Sequence, residues 1–207
     1  MSQKLYKWEI ALFCGFVIAQ VWGAGVAREQ AELAQRVIRI HVIANSDTAE
    51  DQTLKLTVRD AVLEQVAQLS GSVETTGELE TLLARQLPVL EKAGEEVLRA
   101  NGCPYTVTAA LTDCWFPTKE YQGFSFPAGE YRALKLTIGA GEGQNWWCVA
   151  FPPLCVGASS QSVEEAVEIG YFTQEQGALL TGAGEEYVLR FKCMELLGTL
   201  KGLFLQD

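Results

Sequence analysis

His41 and Cys148 are two residues of this chain whose side chains could form a nucleophile pair. In such a pair the imidazole takes the thiol proton, and a third polar group, here Asn145 or Asp47, orients the ring. A catalytic cysteine needs an exposed and electropositive surrounding. Cys148 instead follows two tryptophans in an apolar run of an acidic chain, which favours a packed thiol. His41, on a strand face, is more often a hydrogen-bonded structural residue.

Three glycines at alternate positions, Gly139, Gly141 and Gly143, form the second pattern that could do chemistry. A phosphate-binding loop leads from a strand into the N-terminus of a helix, whereas this loop leads from one predicted strand to another. We therefore predict a hairpin turn. Carboxylates are plentiful, but none falls in a motif that sets an acid and a base opposite each other. The sequence carries no strong sign of an enzyme.

The cysteines and the single histidine do not form a metal site by their spacing, so we predict no metal and no cofactor. Cys14 lies in an N-terminal apolar segment, which leaves five cysteines in the remainder of the chain. Five is odd, so at most two intramolecular disulfides form and one thiol remains. The pairing stays open among Cys103, Cys114, Cys148, Cys155 and Cys193.

The N-terminus has the pattern of an export signal. Lys4 and Lys7 precede an uncharged apolar run at residues 10–27, and a basic flank before such a run is typical of export. The run also approaches the ~20 residues that a membrane-spanning helix needs. Gly25 and Ala27 suit a cleavage site, and cleavage stays open. We predict a signal peptide or signal anchor, a connector and one exported domain, at residues 1–27, 28–37 and 38–207.

The charge of the chain argues against two classes of partner. The formal net charge is −10, and because residues 1–27 contribute +1, the remainder carries −11. An acidic domain repels phosphate backbones, so we predict no nucleic-acid partner. Repulsion from anionic lipid leaves the N-terminal segment as the membrane contact.

The first predicted elements are a strand at residues 39–44 and a helix after it. Asp47 and Glu50 have the spacing of a capping box for that helix. One stripe along this helix carries charged residues four apart: Asp51, Lys55 and Arg59. We predict this stripe to be a solvated face with modest ion pairs.

A second helical region opens at Thr75 and Glu78 and ends at residues 101–102, with a kink or a split at Pro88. Three further strands, joined by hairpins, are predicted at residues 105–116, 131–138 and 146–151. Residues 156–184 read as a surface excursion with at most a short helix at 162–169, and an amphipathic helix closes the chain at 188–204. This order predicts an α+β fold, in which helices cover one face of a small, mostly antiparallel sheet.

Three long strings of this chain have an unusual composition that can carry a family resemblance. The first is RIHVIANSD at residues 39–47, continued by DQTLKLTVRDAV at 51–62. The second comprises GEYRALKLTIG at 129–139 and GQNWWCVAFPPLC at 143–155, and the closing one is RFKCME at 190–195. These strings resemble the stage II sporulation protein R family. With the N-terminal segment, the resemblance covers nearly the whole chain in the expected order, apart from residues 70–104 and 156–184.

The resemblance implies a signalling protein of endospore-forming bacteria that is not itself an enzyme. Family members are made in the forespore and exported into the space between its membrane and that of the mother cell. There they activate a membrane-embedded mother-cell aspartic protease, similar to stage II sporulation protein GA, which cleaves the pro-form of sigma factor E. The competing interpretations are an exported hydrolase that uses Cys148 or a carboxylate, and a membrane-tethered structural domain without a signalling role.

The tryptophan pair, Trp146 and Trp147, is the strongest candidate for a binding surface, because exposure of two such large rings to water is unfavourable. Adjacent strand residues point to opposite faces, so one ring is expected to pack inward and the other to face a partner. We predict partner-binding residues in this loop and in the first strand and its turn: Gln144, Asn145, Trp146 and Trp147, with Arg39, His41, Asn45, Ser46 and Asp47.

Overall fold

The computed structural model describes residues 2–71, 73–121, 123–154, 162–182 and 192. The elements are α1 (Ser2–Ala34), β1 (Ile38–Ile43), α2 (Ala49–Ser70), α3 (Thr76–Ala100), β2 (Val107–Phe116), β3 (Lys119–Tyr121), β4 (Phe124–Phe126), β5 (Gly129–Ile138), β6 (Asn145–Phe151), α4 (Val163–Ile169) and α5 (Gln174–Thr181). The predicted α+β class is confirmed, with a four-stranded and a two-stranded sheet in the described part of the chain.

The main sheet has the strand order β2-β5-β1-β6. β1 runs parallel to β5 and antiparallel to β6, and β2 is antiparallel to β5. β1 is an interior strand of this sheet, and five of its six residues are buried. The predicted hairpin between β5 and β6 is therefore wrong. The loop at residues 139–144 crosses over the carboxyl end of β1 instead.

Both faces of the sheet are covered, not one as predicted. Ile40 and Val42 of β1 pack in a core with α2 and α3. On the opposite face, Phe116 and Tyr131 pack in a second core with Leu33 of α1, Phe126 of β4, and residues of α4 and α5. The small β3–β4 sheet and the two short helices thus enclose side chains of β1 that sequence periodicity placed on an open face.

The helix ends follow local hydrogen bonding, with one correction. Thr48, not Asp47, is the N-cap of α2, and its side chain accepts from the Asp51 backbone N–H. The capping box predicted for Asp47 and Glu50 is wrong because the Asp47 carboxylate accepts from another segment, described below. α3 begins after the N-cap Thr75 and continues through Pro88 without a split.

α1 is a continuous helix that passes from an exposed apolar stretch into the folded domain. Its residues Lys7–Ala34 are long and apolar enough to cross a membrane. Trp8, Phe13 and Phe16 are exposed, whereas Val26 and Leu33 are buried against the domain. The described structure is therefore compatible with a signal sequence or a membrane anchor.

The region after β6 contains more helix than predicted. α4 confirms the short helix at residues 162–169, but α5 follows it at Gln174–Thr181. Both helices start with a capping box, at Ser162 and at Thr173. The predicted helix at 188–204 and the RFKCME string lie outside the described residues, except for Lys192.

Candidate functional site

The turn after β1 and the loop before β6 are joined by backbone hydrogen bonds. Gly143 N donates to Ala44 O (2.9 Å) and Glu142 N donates to Asn45 O (3.1 Å). A Cβ at Gly143 would overlap the Ser46 carbonyl oxygen, so a glycine is needed for this close approach. The glycine-rich loop therefore holds two segments together, and it does not lead into a helix N-terminus as a phosphate-binding loop does.

The Asn45 side chain connects the loop to α2. Its Oδ1 accepts from Ala140 N (2.9 Å), and its Nδ2 donates to Asp51 Oδ2 (2.8 Å). Ser46 Oγ donates to the same Asp51 oxygen (2.6 Å). These hydrogen bonds from Ser46 and Asn45 favour the ionised carboxylate and lower the pKa of Asp51.

The stripe predicted to be a solvated face of α2 is instead buried at the end nearest this loop. Asp51 is only 7% exposed and Lys55 only 5%. Lys55 Nζ donates to Gln52 Oε1 (2.6 Å) and to the Gln144 carbonyl oxygen (3.0 Å), and burial lowers its pKa. The prediction failed because the crossing loop covers this face of the helix.

Arg59, the third member of the stripe, lies against the first tryptophan. Its guanidinium carbon is 4.6 Å from the centroid of the Trp146 ring, within the range of a cation–π contact. Arg59 also forms an ion pair with Asp60 (2.6 Å). Trp146 itself is half-buried against the core of α2 and α3.

Trp147 lies on the opposite face of β6, as the alternation of strand residues predicts. Its ring stacks on His41, with centroids 3.8 Å apart and an interplanar angle of 18°, and it meets Phe116 edge to face at 4.8 Å. His41 Nε2 donates to Asn145 Oδ1 (2.8 Å), while His41 Nδ1 is buried without a hydrogen-bond partner in the described structure. Burial lowers the pKa of His41, which favours the neutral ring.

The backbone of the loop is also bonded to the exposed Asp47. Its carboxylate accepts from Gln144 N (2.7 Å). Asp47, Gln144 and Asn145 are exposed, and Asn45, Ser46 and the two tryptophans are half-buried. These residues lie at the end of the sheet where β1 stops, with the two tryptophan rings on opposite faces of β6, and are here called the β1-end surface: Asn45, Ser46, Asp47, Gln144, Asn145, Trp146 and Trp147.

Two residues predicted to bind a partner do not lie on that surface. Arg39 and His41 are buried inside the second core, so neither side chain offers area to a partner. The predicted binding residues also left out Asp51, Lys55 and Arg59. Their side chains contact the turn, the loop and the Trp146 ring of that surface. Their spacing of four residues was the available signal, and it fits an exposed or a covered helix face equally well.

Cys148 takes part in a disulfide bond. This corrects the expectation of a packed thiol. Cys14, Cys103 and Cys114 are free, so the partner of Cys148 lies outside the described residues. A disulfide sulfur is not a thiolate and cannot act as a nucleophile toward a substrate.

A groove of about 650 Å³ lies elsewhere, between the end of α1 and strands β2 and β5. Its walls include Val26, Gln30, Trp115 and Arg132, and it contains none of the residues predicted to bind a partner. Within the described ranges, no group of histidine, cysteine and acidic residues could hold a metal ion.

These features describe an α+β protein with a membrane-compatible N-terminal helix and a supported polar and aromatic surface at one end of its sheet. Residues 34–161 match the family model for stage II sporulation protein R. The chain is 33% identical over 155 residues to stage II sporulation protein R of Bacillus subtilis (strain 168), an alignment that covers 70% of this chain and 69% of that protein. No solved structure matches. The chain belongs to the stage II sporulation protein R family, and its role is in sporulation.

Proposed function

We propose that this protein is an exported signal of sporulation that activates a membrane-embedded aspartic protease of the mother cell by binding to it. The activated protease then processes the pro-form of sigma factor E. Membership of the family supports this function, and α1 suits export from the forespore into the intermembrane space, with or without retention of the anchor. The protein acts as a ligand, not as an enzyme.

The β1-end surface is the observation that carries the proposal. Gln144 is fixed through its backbone, because its N–H donates to Asp47 and its carbonyl oxygen accepts from Lys55. Its side chain is thereby presented to solvent from a rigid support. Polar groups beside half-buried aromatic rings are typical of binding hot spots, and pre-ordered residues lose little conformational entropy when a partner binds.

The candidate nucleophile pair of the hydrolase alternative and the buried carboxylate of α2 are engaged in the fold. Cys148 is disulfide-bonded and His41 is buried under Trp147. Asp51 accepts two hydrogen bonds that favour its ionised form, which is unsuited to a general acid. This arrangement favours binding over catalysis as the function of the site.

Co-expression in a bacterium that does not sporulate tests the proposal. The full chain, the membrane-embedded protease and its pro-sigma substrate are produced together, and the processed sigma factor is quantified by immunoblot. We expect processing only when all three are present. Export of the full chain without any processing in its presence would refute activation.

A surface substitution locates the contact. Gln144→Arg adds bulk and charge without removing a backbone hydrogen bond, and we expect it to reduce processing at least tenfold, on the order of 1.4 kcal/mol of binding free energy. Gln68→Arg, at an exposed position of α2, is the matched control and should process like the wild type. Equal processing by the two variants would move the contact away from Gln144.

A further inference from the structure

Arg39 is a buried cation without a counter-ion in the described structure. Its side chain is 0% exposed, and no carboxylate of the described residues pairs with it. Its NH1 atom is buried with no hydrogen-bond partner. A buried charge is unfavourable for folding unless hydrogen bonds and other contacts compensate the loss of hydration. The contacts that compensate the charge of Arg39 therefore show what this side chain holds in place.

The guanidinium is enclosed by three aromatic rings. Its central carbon lies 4.3 Å from the centroid of Phe116, 4.9 Å from Tyr131 and 5.0 Å from Phe126. These rings belong to β2, β5 and β4, so one cation from β1 contacts strands of both sheets. The contacts offset part of the loss of hydration, because an aromatic face attracts a cation.

The hydrogen bonds of Arg39 lead directly to the segment that carries the tryptophans. Arg39 Nε donates to Cys148 O (2.8 Å) and NH2 donates to Tyr121 OH (2.9 Å). Tyr121 OH in turn donates to Trp147 O (3.2 Å). The same cation contacts Phe116, whose ring meets Trp147 edge to face at 4.8 Å. Arg39 thus bonds the Cys148 carbonyl directly, and it contacts Tyr121 and Phe116, which bond the Trp147 carbonyl and pack against the Trp147 ring.

We propose that Arg39 is a positioning residue, which holds Trp147 and the adjoining part of β6 in the geometry that the β1-end surface needs for binding. This inference rests on the proposed function and deepens it, because it reassigns Arg39 from partner contact to support of that surface. The planar fork is essential, since it bonds a backbone carbonyl and the Tyr121 hydroxyl at once. A lysine can keep the charge but supplies no such fork.

The test compares three variants of the full chain: Arg39→Met, Arg39→Lys and the control Arg85→Met, at an exposed position of α3. Thermal unfolding is measured in detergent, and processing is measured in the co-expression system. We expect Arg39→Met to fold with a lower thermal midpoint, because the Cys148 carbonyl loses its donor, and to reduce processing of the pro-sigma factor at least tenfold after correction for the folded fraction. Arg39→Lys should recover less than half of the processing that Arg39→Met loses. Arg85→Met should behave like the wild type. Arg39→Met with wild-type processing would overturn the proposal.

Near-ultraviolet circular dichroism supplies a readout that does not depend on the protease. Trp147→Phe should remove a clear band in the wild-type background, because the stacked ring is fixed. The same substitution should change the Arg39→Met spectrum by less than a third of that amount. An undiminished Trp147 band in Arg39→Met would overturn the positioning role even if processing is never observed. If the wild-type protein gives no processing while the Trp147 band is diminished in Arg39→Met, the proposed function is contradicted and the positioning role stands.

Discussion

Replacing Asp51 by asparagine should weaken the fold measurably although the shape of the side chain is preserved. Both Asn45 Nδ2 and Ser46 Oγ donate to Asp51 Oδ2, at 2.8 and 2.6 Å. A hydrogen bond to a charged group contributes ~1.5–3 kcal/mol and one between neutral groups ~0.5–1.5 kcal/mol, so each bond loses about 1 kcal/mol. Two bonds give a loss of about 2 kcal/mol, or roughly 4–8 °C in thermal midpoint for a domain of this size.

The assay is thermal unfolding at pH 7, with Glu64→Gln at an exposed position of α2 as the matched control. The same reasoning predicts a pH dependence. Because the bonds from Ser46 and Asn45 lower the pKa of Asp51 in the folded state, its stabilisation is fully present above the ordinary carboxyl pKa of ~3.9. It is lost as the pH falls through the folded-state pKa. The difference between wild type and Asp51→Asn should therefore be complete at pH 7 and should begin to shrink below about pH 4. Equal midpoints at pH 7, or a difference that persists unchanged at pH 3, would refute the reasoning.

The remaining predictions concern the loop, the tryptophans and the topology. Gly143→Ala should destabilise the protein by more than 1 kcal/mol because the new Cβ meets the backbone of the turn beneath it, whereas Gly77→Ala, with open space around it, should be neutral or stabilising in the same unfolding assay. Trp146→Ala and Trp147→Ala should reduce protease activation beyond the fraction unfolded, and a loss strictly proportional to unfolding would make the pair structural. A reporter fused after Asp207 that works only outside the cytoplasm should be active, since Lys4 and Lys7 favour a cytoplasmic N-terminus; activity of a cytoplasmic reporter alone would reverse the topology.

The elements of the fold were largely predictable, because their signals are local. The strands at 39–44, 131–138 and 146–151 agree with β1, β5 and β6 to within two residues, and the start of a helix at Thr75 is confirmed. The cap of α2 was misplaced by one residue. Asp47 and Thr48 both suit an N-cap by type, and the choice depends on Gln144, 97 residues away in the chain.

By itself the sequence determined the α+β class, the apolar N-terminal helix, the opposite faces of Trp146 and Trp147 and the family, since each depends on composition, on a period of two or on a contiguous string. Only the tertiary structure decided that β1 separates β5 from β6, that the glycine-rich loop crosses over β1 and that Asp51, Lys55 and Arg39 are buried. The physical reason is that strand order and the covering of a polar face are set by hydrogen bonds and packing between segments far apart in the chain. A local pattern of charged residues is the same whether water or another segment of the protein lies above it.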